Sequence, residues 1–278
     1  MEWLPENYEG SWTLSSSVSR KGLCLHSGLE SEVKLSFSDS AGFHVSFKNS
    51  SNPPVTLHPN QIINSDLCTT LDLGSQKLST VEHLLAALVG CGITHVNIEV
   101  SGGEIPLLDG SAIEWVKAIE EAGIKPANSL RNKAPVINNS LIINKGSSLI
   151  TAIPSEGINL VSIIDFPYPA IGKQIFSLEL TPRTFVDQIA PARTFGFKDQ
   201  VDYLISKGLI KGGNLNNSLV CNGDHWLNPP LRFENEPVRH KLLDLIGDLA
   251  LTGLPKAQVL VYRGSHALHS KLALALSS

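Results

Sequence analysis

Leu242, Leu243, Ile246 and Leu249 recur at helical spacing, which predicts a helix through residues 239–248 with one buried stripe. His240, Asp244 and Asp248 fall four residues apart and stack on another face of that helix. Gly247 lies on the same side; a helical glycine costs about 1 kcal/mol against alanine, so it points to close approach by another element. Elsewhere, residues 34–37, 43–47 and 95–100 alternate as strands. Ser79 followed by Glu82 reads as an S-x-x-E capping box opening a helix whose stripe is Leu84, Leu85 and Leu88, with Gly90 and Gly92 at its end. A second helix runs through Ile113, Trp115, Val116 and Ile119 to Gly123.

Residues 125–129 are the best linker, which divides the chain into 1–126 and 127–278. The second half opens with strands at 136–143, 149–153 and 159–166, then an apolar loop at 167–172. Short helices are expected at 181–189 and 199–207, a hairpin around Asn222 and Gly223, a strand at 257–262 and a last helix at 267–276 with His266 at its N-terminus. Both halves run strands first and helices second, an α+β pattern of two domains. No internal sequence repeat is visible.

At 278 residues, 42% hydrophobic and 17% charged, the chain is globular. Its net charge of −4 and lack of a basic block argue against nucleic acid. The first residues lack the basic start and apolar run of a signal peptide and are acidic, unlike a transit peptide; no apolar run suggests a membrane span. Cys24, Cys68, Cys91 and Cys221 are scattered, as reduced thiols of a cytoplasmic protein are.

Glu82, His83, Thr194, His240, Lys241, Asp244, Asp248 and His266 compete for one site. Each has an ordinary structural explanation: Glu82 as a cap, the helical triplet as a solvated face. Together they contain what a catalytic zinc needs, since three His and Asp ligands leave a position for water. A carboxylate beside the metal can take the water's proton and a second acid can protonate a leaving amine. The absence of H-E-x-x-H sets this apart from the common metalloprotease arrangement.

Ser79–Leu84, Glu104–Pro106 with Leu108–Ala112, Ala192–Phe197, Val238–Lys241 with Asp244–Asp248, and Gly264–Leu268 closely resemble the UDP-3-O-acyl-N-acetylglucosamine deacetylases of lipid A synthesis; Gly22–Gly28 fits the family's first motif. The matches run in order over nearly the whole chain. The resemblance implies two similar α+β domains, helix layers face to face, a small insert in each, and a site between them. It implies removal of the acetyl group from UDP-3-O-(3-hydroxyacyl)-N-acetylglucosamine. His83, His240 and Asp244 resemble the ligands of zinc, for which ferrous ion is a chemically suited substitute. Glu82 resembles the general base, His266 the acid, and Thr194 the oxyanion donor. Lys241 and Asp248 resemble residues lining the site, and Phe195, Arg263 and Lys241 residues that meet substrate. A monomer is expected.

One point conflicts with elementary electrostatics. A helix N-terminus and a nearby cation disfavour imidazolium at His266, unless Asp248 hydrogen-bonds the ring. Two departures concern substrate contacts: Asn138 stands where many relatives have a lysine on the first strand of the second domain, and no aromatic for uracil is evident near Ile158. Residues 163–175 match the second insert, which in the family forms an apolar passage for the acyl chain. Three other readings stand beside this one. One is a zinc deacetylase of another acylated amino sugar, and a second is a non-catalytic nucleotide-sugar binding protein, which predicts loss of the reacting residues. The third is an organellar version of the enzyme whose transit peptide has been removed, against which the initial Met and the acidic start argue.

Overall fold

The computed structural model of the chain describes residues 1–64 and 67–277. Each half is built on a five-stranded sheet. In the first, strands Val18–Leu23 and Glu30–Ser36 lie beside His95–Val100, with Gly42–Phe47 and Val55–Thr56 beyond it. In the second, Leu141–Lys145 and Ser148–Pro154 lie beside Ala257–Tyr262, with Asn159–Asp165 and Lys173–Glu179 beyond it. In each sheet the last strand in sequence is central, parallel to its third-strand neighbour and antiparallel to the second. The two halves therefore repeat one topology, α+β in both cases. Alternating burial along Gly42–Phe47 and Asn159–Asp165 shows why: each strand buries every second side chain against a helix layer.

The helices are α1 (Glu82–Gly90), α2 (Ile113–Ala122), α3 (Pro182–Gln188), α4 (Lys198–Ser206), α5 (Glu236–Leu249) and α6 (His266–Leu276). One continuous core joins Leu84, Leu85 and Leu88 of α1 to Leu242, Leu243 and Ile246 of α5 and to Val33, Val45 and Val259 of the sheets. The helix layers meet where α1 packs on α5. Gly247 is the point of closest approach: a Cβ there would lie 2.1 Å from the backbone oxygen of Glu82. Gly247→Ala must therefore push α1 away from α5. We expect a loss of about 1–3 kcal/mol, as for other overpacked cores, together with lost activity because Glu82 moves. A variant with unchanged melting temperature would show that the helices have room to separate.

A small three-stranded sheet is inserted in each half. Ile62–Asn64, Thr70–Asp72 and Lys77–Ser79 precede α1; Phe195–Phe197, Leu219–Asn222 and His225–Trp226 precede α5. This corrects the expectation for residues 163–175. They belong to the hairpin of the main sheet, and the second small sheet lies further along the chain. The hairpin tip nevertheless packs on that sheet through Phe166 and Tyr168.

The expected capping box is also absent. Ser79 is held in its strand by pairing with Thr70 and a bridge to Glu104, and the chain turns at Thr80 with φ of 58°. Helix α1 can start only at Glu82, with Val81 as N-cap and no side-chain cap. Glu82 is thus free of the structural task that its spacing suggested. Two boundaries differ as well: the first strand of the second half begins at Leu141, so Asn138 is exposed ahead of it, and Ile158 is buried.

Candidate active site

Helix α5 is buried along nearly its whole length, so its polar face is not solvated. His240, Asp244 and Asp248 instead face α1 and the start of α6. Imidazole Nδ1 of His240 lies 3.0 Å from the carbonyl oxygen of Ala192, which can only accept, so the proton is on Nδ1 and Nε2 keeps its lone pair. That Nε2 is 3.3 Å from Oδ1 of Asp244, and Nε2 of His83 is 3.9 Å from the same oxygen. The three residues offer donor atoms within 4.8 Å of one another, all buried.

Charge states suit a cation. Burial, then His240, pushes His83 down to about 3, so the ring is neutral and its approach to Asp244 is not an ion pair. Burial lowers His240 too. Burial alone would raise Asp244, but Lys241, whose Nζ is 2.7 Å from Oδ2, and the surrounding imidazoles hold it well below the usual carboxylate range. Two neutral imidazoles and one ionised carboxylate are a donor set that a tetrahedral divalent ion accepts, with one position left over.

On the other side of Asp244, Nδ1 of His266 donates to Oδ2 of Asp248 at 2.9 Å. This removes the conflict at the helix N-terminus. Burial pushes His266 down, yet the charges of Asp248 and Asp244 and that hydrogen bond override it and raise the ring to about 9. Glu82 places Oε1 3.9 Å from Nε2 of His266, while Oε2 accepts from the backbone N–H of Thr69 at 3.1 Å. Burial, followed by Asp248 and Asp244, lifts Glu82 to about 7 against the pull of His266.

Thr194 is brought alongside by its backbone. Its N–H donates to Gly110 O at 2.7 Å, and its carbonyl accepts from Leu219 at 2.8 Å. Gly110, at φ of 82°, is required there, since a Cβ would meet Asn217 O at 2.0 Å. The neighbouring Arg193 is clamped to Glu236, the first residue of α5, at 2.8 Å. Among the described residues no hydrogen bond engages the Thr194 hydroxyl. The ring of Phe195 is 6.3 Å from that of His240, with Nζ of Lys241 5.7 Å from its centroid. Arg263 stands further out, paired with Asp165 at 2.8 Å. Glu104, in another quoted motif, accepts from the N–H groups of His26 and Ser27 and from Thr80, and so pins the first motif.

Two groups in this cluster carried no sequence expectation. His269 donates from Nδ1 to Oδ2 of Asp248 at 2.9 Å, and Thr69 donates its hydroxyl to Oδ1 at 2.5 Å. His269 had a signal, since it follows His266 by three residues on one helix face. Thr69 had none. A cavity of about 580 Å³ between Phe43, His58, Arg131 and Leu254 lies apart from these residues and contains none of them.

Residues 11–278 match the sequence profile of the UDP-3-O-acyl N-acetylglycosamine deacetylase family. The chain belongs to this family. It is 44% identical over 276 residues to the UDP-3-O-acyl-N-acetylglucosamine deacetylase of Nostoc sp., covering 96% of this chain and 99% of that one. To the enzyme of the same name from Thermosynechococcus vestitus it is 43% identical over 268 residues, 95% and 93% of the two chains. A probable UDP-3-O-acyl-N-acetylglucosamine deacetylase 1, mitochondrial, from Arabidopsis thaliana is 40% identical over 283 residues, 94% and 86%. As a member of this deacetylase family the chain is an enzyme, and the expectation of a binding-only descendant is set aside. No helix among the described residues is long and apolar enough to cross a membrane.

Proposed function

We propose that the chain hydrolyses the N-acetyl group of UDP-3-O-(3-hydroxyacyl)-N-acetylglucosamine, in lipid A synthesis, with zinc held by His83, His240 and Asp244. The observation that carries this reading is the convergence of those three donors beside an ionisable Glu82 and a His266–Asp248 pair. When bound, the ion polarises the amide carbonyl and acidifies a water. Glu82 takes the proton of the attacking water as oxygen bonds to the acetyl carbon. Thr194 donates to the oxygen that gains charge. His266, held protonated by Asp248, gives its proton to the amine nitrogen as the C–N bond breaks, and acetate leaves. Lys241 keeps Asp244 ionised. Ferrous ion suits the same donors.

Arg263 is exposed enough to turn towards the substrate diphosphate. Phe195 opens a second apolar cluster, apart from the main core, that includes Phe166, Tyr168, Ile171 and Phe197. We assign the acyl chain to that cluster. Each methylene buried there contributes about 0.8 kcal/mol, roughly fourfold, so four give on the order of two hundredfold. A substrate lacking the 3-O-acyl group should lose at least that much kcat/KM, because remote binding energy positions the amide. Equal kcat/KM for the two substrates would defeat this assignment. The cytoplasm is the compartment we assign, supported by four unpaired, buried cysteines. A monomer suffices, since every group named comes from one chain. The deciding experiment is acetate release from the UDP-linked acylated sugar, with and without a chelator. Activity that survives chelation, or activity on other acylated amino sugars only, would defeat the reading.

A further inference from the structure

We propose that Thr69 is a positioning residue that fixes both carboxylates of the acid–base machinery from one point. It sits just before the strand Thr70–Asp72 of the first small sheet and is fully buried. Its backbone N–H donates to Oε2 of Glu82 at 3.1 Å, and its hydroxyl donates to Oδ1 of Asp248 at 2.5 Å. One residue of the first half thus holds an oxygen of a carboxylate in each half.

The geometry divides the work between oxygens. With Oε2 of Glu82 engaged by Thr69, Oε1 is the oxygen turned to His266. With Oδ1 of Asp248 engaged by the hydroxyl, Oδ2 is left for the Nδ1 groups of His266 and His269, each at 2.9 Å. A threonine hydroxyl has a single proton, and here a carboxylate takes it, so the oxygen presents only lone pairs to Nδ1 of His266 at 3.5 Å. The Nδ1 proton of His266 is directed at Oδ2 of Asp248, the shorter and charged contact at 2.9 Å. Rotation of the Asp248 carboxylate would break three hydrogen bonds at once, and the plane of the His266 ring is set by that carboxylate. Among the described residues no hydrogen bond joins Thr69 to His83, His240 or Asp244; it acts through Glu82 and Asp248.

The inference rests on the deacetylase reading above, and the test separates the two. Thr69→Val keeps shape and the backbone N–H but removes the hydroxyl; Thr69→Ser keeps the hydroxyl and removes the methyl. On the UDP-linked acylated sugar we expect Thr69→Val to lose about 10–100-fold in kcat, the usual worth of a residue that orients a reacting group, with KM and metal content unchanged. Thr69→Ser should stay within about threefold of the parent. Thr69→Ala serves where the valine variant fails to fold. Wild-type kcat in the valine variant, or a serine variant as slow as the valine one, overturns the proposal. An independent reading comes from NMR of the metal-loaded protein, which needs no turnover. The downfield ring N–H proton of His266 should shift in Thr69→Val and not in Thr69→Ser, and an unchanged resonance in the valine variant overturns the positioning. A parent enzyme inactive on this substrate overturns the deacetylase reading, while the resonance still decides the role of Thr69.

Discussion

Glu82→Gln is expected to lower kcat on the order of 10²–10⁴-fold, the usual worth of a positioned acid–base group, while the protein stays folded and keeps its metal. The substitution is nearly isosteric. Its carbonyl can still accept from the N–H of Thr69, the hydrogen bond that Oε2 makes. The helix loses no cap, because Val81, not Ser79, is the N-cap of α1. What is lost is the capacity to take a proton. A carboxylate base works only when ionised, so its rate falls as pH drops through its pKa; burial and the neighbouring Asp248 and Asp244 set that pKa high. The acidic limb of kcat/KM against pH should vanish or move in the variant. Melting temperature and metal content, measured beside the rates, separate chemistry from folding. Full activity in Glu82→Gln would remove Glu82 from the reaction.

The legible part of this molecule was written in short-range spacing. The apolar stripe of α5 predicted its length to within a few residues, and Gly247, on the polar side of that helix, marked the crossing with α1. The i, i+4 ladder of His240, Asp244 and Asp248 predicted a shared face, though not that the face is buried against two helices. Spacing misled where the sheet overrode it: Ser79 and Glu82 have the sequence of a capping box, but strand pairing at Ser79 keeps that residue out of the helix start. The topological repeat showed in sequence only as a shared order of strands and then helices, with no repeated residues. A strand needs only alternation, which many sequences supply, so two sheets of one connectivity can share no motif. Thr69 was illegible for a related reason. Its partners Glu82 and Asp248 are 13 and 179 residues away, and only the packing of α1 on α5 brings them together. The electrostatic conflict at His266 was the opposite case: elementary charge reasoning named Asp248 as the group that had to resolve it, and it does so at 2.9 Å.

The same packing makes the proposed metal site the point where we expect substitutions to cost most. His83→Ala, His240→Ala and Asp244→Ala are each expected to lose bound metal on dialysis and more than about 100-fold in activity, exceeding what the loss of a ligand's hydrogen-bonding partner costs. Each variant removes one of the three proposed donors, and among the described residues the same cluster offers no fourth. Asp244→Ala should be the most disruptive. Its carboxylate lies within 4.0 Å of His83, His240, Lys241 and His266, so its removal leaves Lys241 and the raised His266 without their shared counter-charge. Its melting temperature should fall as well. Asp248→Ala is the control. Asp248 is held by Thr69, His266 and His269 and belongs to a different cluster, so this variant should lose activity through His266 but keep one metal per chain. Metal per chain by mass spectrometry and rates on the UDP-linked acylated sugar read all four. A folded His240→Ala with stoichiometric metal would show the ligand set to be wrong. An Asp248→Ala that loses its metal would place the ion nearer to α6, between Asp248 and the two imidazoles that flank it.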